Sequence, residues 1–172
     1  YAGFSDYFIP QTDWAKLVET LSKTGDLSTI DRAAQPLPTA RLAGWQTDID
    51  AVFGGQSLAD IWRAMPETLP DVLAQAKKLI SQNSPLSVCA TVELIHKVRM
   101  VDTIEAALMY EFRFTSRAME HGDFIEGIRA AIIDRDKAPK WRHSSWRDVT
   151  GADVLSMKYP AKPPLNLTGI SI

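Results

Sequence analysis

The 172-residue sequence has little of the side-chain chemistry from which disulfide and metal sites are built. It holds one cysteine, Cys89, and three histidines, His96, His121 and His143, which are scattered along the chain. A lone cysteine cannot form an intrachain disulfide, and these residues do not have the ligand spacing of a zinc site. We therefore expect no metal site.

The sequence also lacks an excess of positive charge and any long apolar run. Its 19 Lys and Arg stand against 21 Asp and Glu, which gives a formal net charge of -2. Such a chain has no global positive field for nucleic acid or an anionic membrane, so an anion site has to be local. No apolar run approaches the roughly 20 residues of a membrane span, and no basic segment followed by an apolar one opens the chain. We expect a soluble, cytoplasmic protein that binds neither nucleic acid nor membrane.

Apolar residues recur with helical spacing along most of the chain, which predicts a mainly α protein. Ser57 followed by Asp60 is typical of a capping box, as is Asp123 followed by Glu126, and Thr12 or Asp13 is placed to cap the first helix. The pattern predicts eight helical segments, at about 13–21, 26–33, 40–53, 57–65, 70–81, 84–99, 104–120 and 123–132.

The two ends of the chain have a different character. The first ten residues are rich in aromatics and end in Pro10, which is typical of a short strand. A strand needs a partner, and no later segment is a convincing one, so we expect the chain to start inside a larger fold. The segment from Pro160 onward contains Pro163 and Pro164 and is expected to be irregular.

A basic loop follows the last predicted helix. Arg135, Lys137, Lys140 and Arg142 place four cations within eight residues. Arginine and lysine bind phosphate through charge-assisted hydrogen bonds, so the loop can hold a phosphate group. The alternative is a solvated loop in which residues 134 and 136, both Asp, neutralise two of the cations.

The segment that leads into this loop resembles a known family signature. Asp123-Phe-Ile-Glu-Gly127, followed by a basic segment and a proline, is similar to the carboxyl-terminal signature of the enoyl-CoA hydratase/isomerase (crotonase) superfamily. Further motifs match its 3-hydroxyisobutyryl-CoA hydrolase branch in order and spacing: Ser84-Pro85, Met109-Tyr-Glu-Phe-Arg113, Ile133-Asp-Arg-Asp136, Pro139-Lys-Trp141 and Asp148-Val-Thr150.

The resemblance implies the helical carboxyl-terminal region of a crotonase-like fold, with one short opening strand and the β-spiral core missing. Residues 1–10 would be the last strand of that core, 11–83 a helical cap region, 84–159 the carboxyl-terminal helical region with the basic loop, and 160–172 an irregular tail. The amino-terminal β-core of the same protein would then be a partner of this chain, and a homo-oligomer is left open.

The resemblance further implies an acyl-CoA enzyme that hydrolyses the thioester of 3-hydroxyisobutyryl-CoA in valine catabolism, in the mitochondrial matrix if the organism is eukaryotic. The alternatives are an enoyl-CoA hydratase/isomerase of the same superfamily and a non-enzymatic helical oligomerisation module. In this family the catalytic groups lie upstream of the last strand. We therefore expect no catalytic residue in this chain, no activity of the chain alone, and no cofactor beyond coenzyme A as part of the substrate.

By the same analogy, the cations after the Asp-Phe-x-Glu-Gly helix approach coenzyme A, which marks Arg135, Lys137 and Lys140 as candidate CoA-binding residues. One departure weakens this expectation, because Ala131 stands where many crotonases have a phenylalanine that packs on adenine. Trp141 and Trp146 flank the loop, and either can stack on adenine or pack in the core.

Overall fold

A computed structural model describes residues 2–166, and 61% of these residues are helical. The described part contains no strand. This confirms the mainly α fold that the apolar periodicity predicts. Contacts between Cα atoms divide the chain into two units, Tyr1–Thr47 and Asp48–Ile172.

The first unit opens with residues 2–10, which do not form the predicted strand. The physical reason is that a strand needs a partner strand, and the described residues offer none. A hydrogen bond from the Gln35 N–H to the Phe8 carbonyl, at 2.9 Å, attaches the backbone of this segment to the rest of the unit. Residue 1 lies outside the described residues. The assignment of this segment to the last strand of a crotonase core stays a prediction.

Two helices and one 3-10 helix follow in the first unit: α1 (Gln11–Thr24), α2 (Ser28–Ala33) and a 3-10 helix over Arg41–Trp45. Neither predicted residue caps α1, because the cap position is Pro10 and no side chain bonds there. Gly25 ends α1 with a left-handed backbone, φ 65°, which glycine adopts without a steric penalty.

The second unit contains the remaining elements. They are α3 (Gln46–Phe53, which starts just before the unit boundary), α4 (Leu58–Ala64), α5 (Asp71–Gln82), α6 (Pro85–Val98), α7 (Ile104–Ala118), α8 (Phe124–Ile128), a π-helix over Arg129–Ile133, a 3-10 helix over Trp146–Asp148 and α9 (Gly151–Ser156). The predicted helix 40–53 is thus two elements, a 3-10 helix and α3. The two elements after residue 145 have three and six residues, too few for a helical period to show in the sequence.

Helix α6 organises the second unit, since it packs against α4, α5, α7, α9 and the 3-10 helix at Trp146–Asp148. Side chains from α6, α7, α9 and the residue after α9 form one buried cluster: Leu86, Ala90, Ala118, Val154 and Met157. Val52, Ile61 and Leu73, from α3, α4 and α5, form a second. Both clusters are built from apolar residues at helical spacing. Burial of these apolar helix faces therefore fixes the positions of the ends of the helices and of the loops between them.

The helix starts show which caps the sequence predicts correctly. Ser57 and Asp60 form the predicted capping box at α4. At the start of α6 the Ser84 hydroxyl accepts the Ser87 N–H, a cap that the sequence analysis does not predict. The capping box predicted for Asp123 and Glu126 is wrong, because no side chain caps α8. The Asp123 carboxylate binds Ser84 and Arg142, and the Glu126 carboxylate binds Arg129 and the Lys140 N–H.

After α9, residues 160–166 carry no helix or strand, in line with the predicted irregular tail, and 167–172 lie outside the described residues. Within residues 2–166, no helix is both long enough and apolar enough to cross a membrane.

Candidate functional site

The basic loop, residues 134–142, leaves the end of the π-helix. There the Asp134 N–H donates to the Arg129 carbonyl at 2.8 Å, five residues back, which is the hydrogen bond of a π turn. The Lys137 N–H then returns to the Ala130 carbonyl at 3.1 Å. The first half of the loop is therefore folded back against the π-helix.

The Arg129 side chain binds the acidic groups on either side of it. Its Nε and Nη2 donate to the two oxygens of Glu126 at 2.9 and 2.8 Å, and its Nη1 donates to Asp134 at 2.6 Å and to Asp136 at 2.7 Å. Nη2 also donates to the Ala138 carbonyl at 3.1 Å. A guanidinium has five N–H groups, and all five are engaged here. We call these four residues, Glu126, Arg129, Asp134 and Asp136, the Arg129 cluster.

The hydrogen bonds of the cluster shift the pKa of Glu126, Arg129 and Asp136. The Arg129 hydrogen bonds and the Lys140 backbone N–H lower the pKa of Glu126 to about 2, because both favour the carboxylate. The pKa of Asp136 is lowered by Arg129 and by the Ala138 N–H, and the three carboxylates raise the pKa of Arg129. Three carboxyl groups thus share one guanidinium.

Two loop residues next to the cluster adopt a left-handed backbone. Arg135 has φ 55° and Lys137 has φ 53°. For residues with a Cβ this conformation costs about 1–2 kcal/mol. Asp134 and Asp136 alternate with these two residues and are held by Arg129, so the cluster supports the strained loop on both sides of Arg135.

The three predicted CoA-binding residues lie on the solvent side of this loop. Arg135, Lys137 and Lys140 are all exposed. Within the described residues, none of their side chains forms an ion pair; Arg135 Nε donates to the Ile132 carbonyl at 3.2 Å. The alternative in which the two loop aspartates neutralise these cations does not fit the geometry, because both aspartates pair with Arg129. Lys140 lowers the pKa of Asp136 only from a distance.

The second half of the loop is held by Asp123, a buried residue. Its Oδ1 accepts the Arg142 backbone N–H at 2.9 Å, and its Oδ2 accepts the hydroxyl of Ser84, also buried, at 2.5 Å. One carboxylate thereby joins the start of α6, the start of α8 and the end of the loop.

Two further contacts complete the attachment of the loop. The Lys140 N–H donates to Glu126 Oε1 at 2.6 Å, and the Trp141 indole N–H donates to the Gln82 carbonyl at 3.1 Å. A Cβ built at Gly127 would lie 3.6 Å from the Trp141 ring, at ordinary van der Waals distance, so the indole packs beside α8. Trp141 therefore serves packing rather than offering a free ring face for a base.

Trp146 is in a similar position. Its ring lies 5.7 Å from that of Trp62, Arg147 lies 4.4 Å above it, and Lys77 lies 5.2 Å from the Trp62 ring. The four side chains form a stack that joins α4 and α5 to the 3-10 helix. The packing interpretation therefore accounts for both tryptophans.

An apolar groove of about 550 Å³ runs beside the loop, between α5, α6 and the α8/π-helix segment. Apolar side chains on its rim and beside it are exposed, among them Phe124 at 52% and Ile132 at 64%. The buried polar residues in its lining, Ser84 and Asp123, are bonded to each other and hold no free reactive group. The groove is thus suited to contact with an apolar surface rather than to acid–base chemistry.

Other polar candidates do not converge. Glu67 and Asp71 are exposed and lie before and at the first turn of α5. In residues 2–166 there is no group of three or more His, Cys, Asp or Glu side chains that can hold a metal ion. Sequence reasoning missed Arg129, although an arginine three residues after Glu126 on one helix face was an available signal.

Comparison with known proteins places this geometry in a family. The profile described as enoyl-CoA hydratase/isomerase matches residues 1–157. Mitochondrial 3-hydroxyisobutyryl-CoA hydrolase of Mus musculus is 31% identical over 108 residues, which is 63% of this chain and 28% of that protein.

Two solved structures resemble the chain along nearly all of its length. An enoyl-CoA hydratase from Rhodobacter sphaeroides 2.4.1 superposes with a TM-score of 0.80 at 40% identity, covering 94% of this chain and 47% of that one. A carnitinyl-CoA dehydratase from Mycobacterium thermoresistibile superposes with a TM-score of 0.87 at 28% identity, covering 98% of this chain and 48% of that one. The chain thus spans about half the length of these structures and about a quarter of the curated relative.

Proposed function

The chain belongs to the enoyl-CoA hydratase/isomerase family, and from this premise we propose that it is the carboxyl-terminal helical part of an acyl-CoA enzyme, a 3-hydroxyisobutyryl-CoA hydrolase. The motif order from Ser84 to Thr150 and the similarity to the mouse hydrolase support this proposal. In it, the groups that cleave the thioester belong to the amino-terminal half of the enzyme, and this chain contributes binding.

The basic loop binds the phosphate groups of coenzyme A through Arg135, Lys137 and Lys140. The observation that carries this proposal is the Arg129 cluster, which occupies both loop aspartates and leaves three exposed cations on a loop fixed at both ends. Exposed cations without acidic partners form charge-assisted hydrogen bonds with phosphate at the lowest cost, because no existing ion pair has to be broken.

The exposed apolar side chains of the α8/π-helix segment contact the amino-terminal core of the same enzyme. Phe124, Ile125, Ile132 and Ile133 are each more than half exposed. A contiguous apolar surface of this kind is typical of a docking face. Deuterium exchange of residues 124–133 is expected to be slower in the full-length enzyme than in the isolated chain, and equal exchange would contradict the assignment.

Hydration of an enoyl-CoA is the second candidate activity, because the Rhodobacter neighbour, at 40% identity, is an enoyl-CoA hydratase. The two activities are separated by the product that the full-length enzyme makes. Release of the free thiol of coenzyme A from 3-hydroxyisobutyryl-CoA supports the hydrolase, whereas a hydroxyacyl-CoA formed from an enoyl-CoA supports the hydratase.

The loop is tested by Arg135→Ala in the full-length enzyme. A phosphate contact remote from the thioester stabilises substrate and transition state equally, so KM should rise while kcat changes little. A charge-assisted contact contributes about 1–3 kcal/mol, which corresponds to a rise in KM of roughly five- to a hundredfold.

Arg63→Ala is the matched control, since Arg63 is an exposed arginine whose ion pair is with Asp60 on α4. It should leave KM unchanged. A substrate truncated to the pantetheine arm should not distinguish Arg135→Ala from the parent, because it has no adenosine phosphates. Equal KM values of Arg135→Ala and parent on the complete acyl-CoA would remove the loop from coenzyme binding.

A further inference from the structure

We infer that Arg129 is the positioning residue for the loop cations, because it binds the loop's own carboxylates and so keeps them from forming ion pairs with Arg135 and Lys137. The inference rests on the proposed coenzyme binding and deepens it. Arg129 itself does not touch the coenzyme, since all five of its N–H groups are engaged within the protein.

The sequence of the loop explains why such a residue is needed. Residues 134–137 alternate acids and bases, so each of the first two cations has an aspartate beside it. An exposed aspartate next to Arg135 would pair with its guanidinium part of the time and would repel an incoming phosphate. Binding both aspartates to Arg129 removes these competitors and separates the acidic side of the loop from its basic side.

The same contacts hold the backbone from which the cations project. Arg135 and Lys137 are left-handed, and the residues around them, Asp134, Asp136 and Ala138, are each bonded to the Arg129 guanidinium. A lysine has a single ammonium with three donors and cannot reproduce this planar, five-donor arrangement. Arg129→Lys should therefore release part of the loop even though the charge is kept.

The first test compares Arg129→Gln and Arg129→Lys with the parent in the full-length enzyme. The expected result for Arg129→Gln is a rise in KM for the complete acyl-CoA of roughly tenfold, the size of one charge-assisted contact, with kcat unchanged. Arg129→Lys should show a smaller rise. The pantetheine-truncated substrate should show none. Arg32→Gln, which removes an arginine that bonds Asp26 and Thr29 in the first unit, should leave both substrates unaffected.

The second test is a rescue. Adding Asp134→Asn and Asp136→Asn to Arg129→Gln should recover most of the lost affinity, because the released carboxylates are then no longer anionic. A residue that only supports the fold would not be rescued in this way, since the added changes remove two more partners. Deuterium exchange at the amides of Lys137, Ala138 and Lys140 reports the order of the loop independently of any coenzyme.

The outcomes separate this inference from the proposed function. A KM rise that the two Asn changes reverse supports the inference. Unchanged KM and unchanged loop exchange in Arg129→Gln, while Arg135→Ala does raise KM, would overturn it and leave the coenzyme site in place. A KM rise that the Asn changes deepen would also overturn it, because Arg129 would then act only through folding. If Arg135→Ala, Lys137→Ala and Lys140→Ala all leave KM unchanged, the proposed function fails and takes this inference with it.

Discussion

Replacement of Asp123 by alanine tests whether one buried carboxylate holds the loop to the helices. Asp123 and Ser84, which are joined by its shortest hydrogen bond, are each only 7% exposed to solvent. In Asp123→Ala the Ser84 hydroxyl loses its acceptor and the Arg142 N–H loses its partner. A buried donor left unpaired costs about 1–3 kcal/mol. The Ser84 hydroxyl is such a buried donor, whereas the Arg142 N–H is only part-buried and costs less. Together they predict a loss of about 2–4 kcal/mol in the free energy of unfolding.

Asp123→Asn should cost less, about 1–2 kcal/mol, because its carbonyl oxygen can still accept the Arg142 N–H and only the bond from Ser84 is disturbed. The matched control is Asp148→Ala. Asp148 also accepts a serine hydroxyl, that of Ser144 at 2.8 Å, but this pair is exposed. Exposed substitutions of this kind change stability by about 0.5 kcal/mol or less.

Urea denaturation followed by circular dichroism measures the three free energies, and deuterium exchange of residues 134–142 localises the effect. The expected order of loss is Asp123→Ala, then Asp123→Asn, then Asp148→Ala. A loss for Asp123→Ala no larger than that of the exposed control would refute the reasoning, because it would mean that solvent satisfies the freed donors and that the carboxylate does not hold the loop.

Three further results are expected. The carboxyl carbon of Glu126 should titrate in NMR near pH 2 instead of 4.5, and a midpoint near 4.5 would contradict the cluster. Because the pKa of Glu126 is lower in the folded than in the unfolded chain, its contribution to stability should be present above about pH 4.5 and lost as the pH falls to about 2. Burial and, to a smaller extent, the Glu93 carboxylate raise the pKa of the Cys89 thiol, so iodoacetamide should alkylate Cys89 more slowly at pH 8 in the native chain than in urea. Equal rates would show that the thiol is accessible to solvent in the native chain. Gly55→Ala should destabilise the chain by about 1–3 kcal/mol, because the added Cβ would lie 2.8 Å from the Cβ of Asp60, whereas Gly44→Ala should not, because the space around Gly44 is open. Equal melting temperatures of the two variants would show that α4 shifts freely to make room.

The sequence predicts this structure well where the interacting residues are close together in the chain. The capping box of Ser57 and Asp60 forms as predicted because both partners lie within one helical turn. The helices themselves follow from apolar spacing, which is also a local property.

Asp123 and Glu126 carry the same local signature as Ser57 and Asp60, and there the prediction fails. Asp123 bonds groups 39 and 19 residues away, and Glu126 bonds a backbone N–H 14 residues away. A helix start has free N–H groups that compete for a carboxylate, and only the fold decides whether a nearer or a more distant donor reaches it. The family resemblance marked this motif as special, but periodicity alone gave it an ordinary capping role.

The basic loop shows why charge counts in sequence mislead about anion binding. Counting residues 134–142 suggests partial neutralisation, because two aspartates lie among four cations. The count misses that both aspartates are paired with Arg129, which lies outside the loop on the preceding helix. An ion pair whose atoms lie less than 3 Å apart is stronger than the attraction between more distant charges, because solvent and salt screen the latter. The position of Arg129 therefore determines which partner the loop aspartates bind, and a chain of net charge -2 can still present a local group of cations to a phosphate.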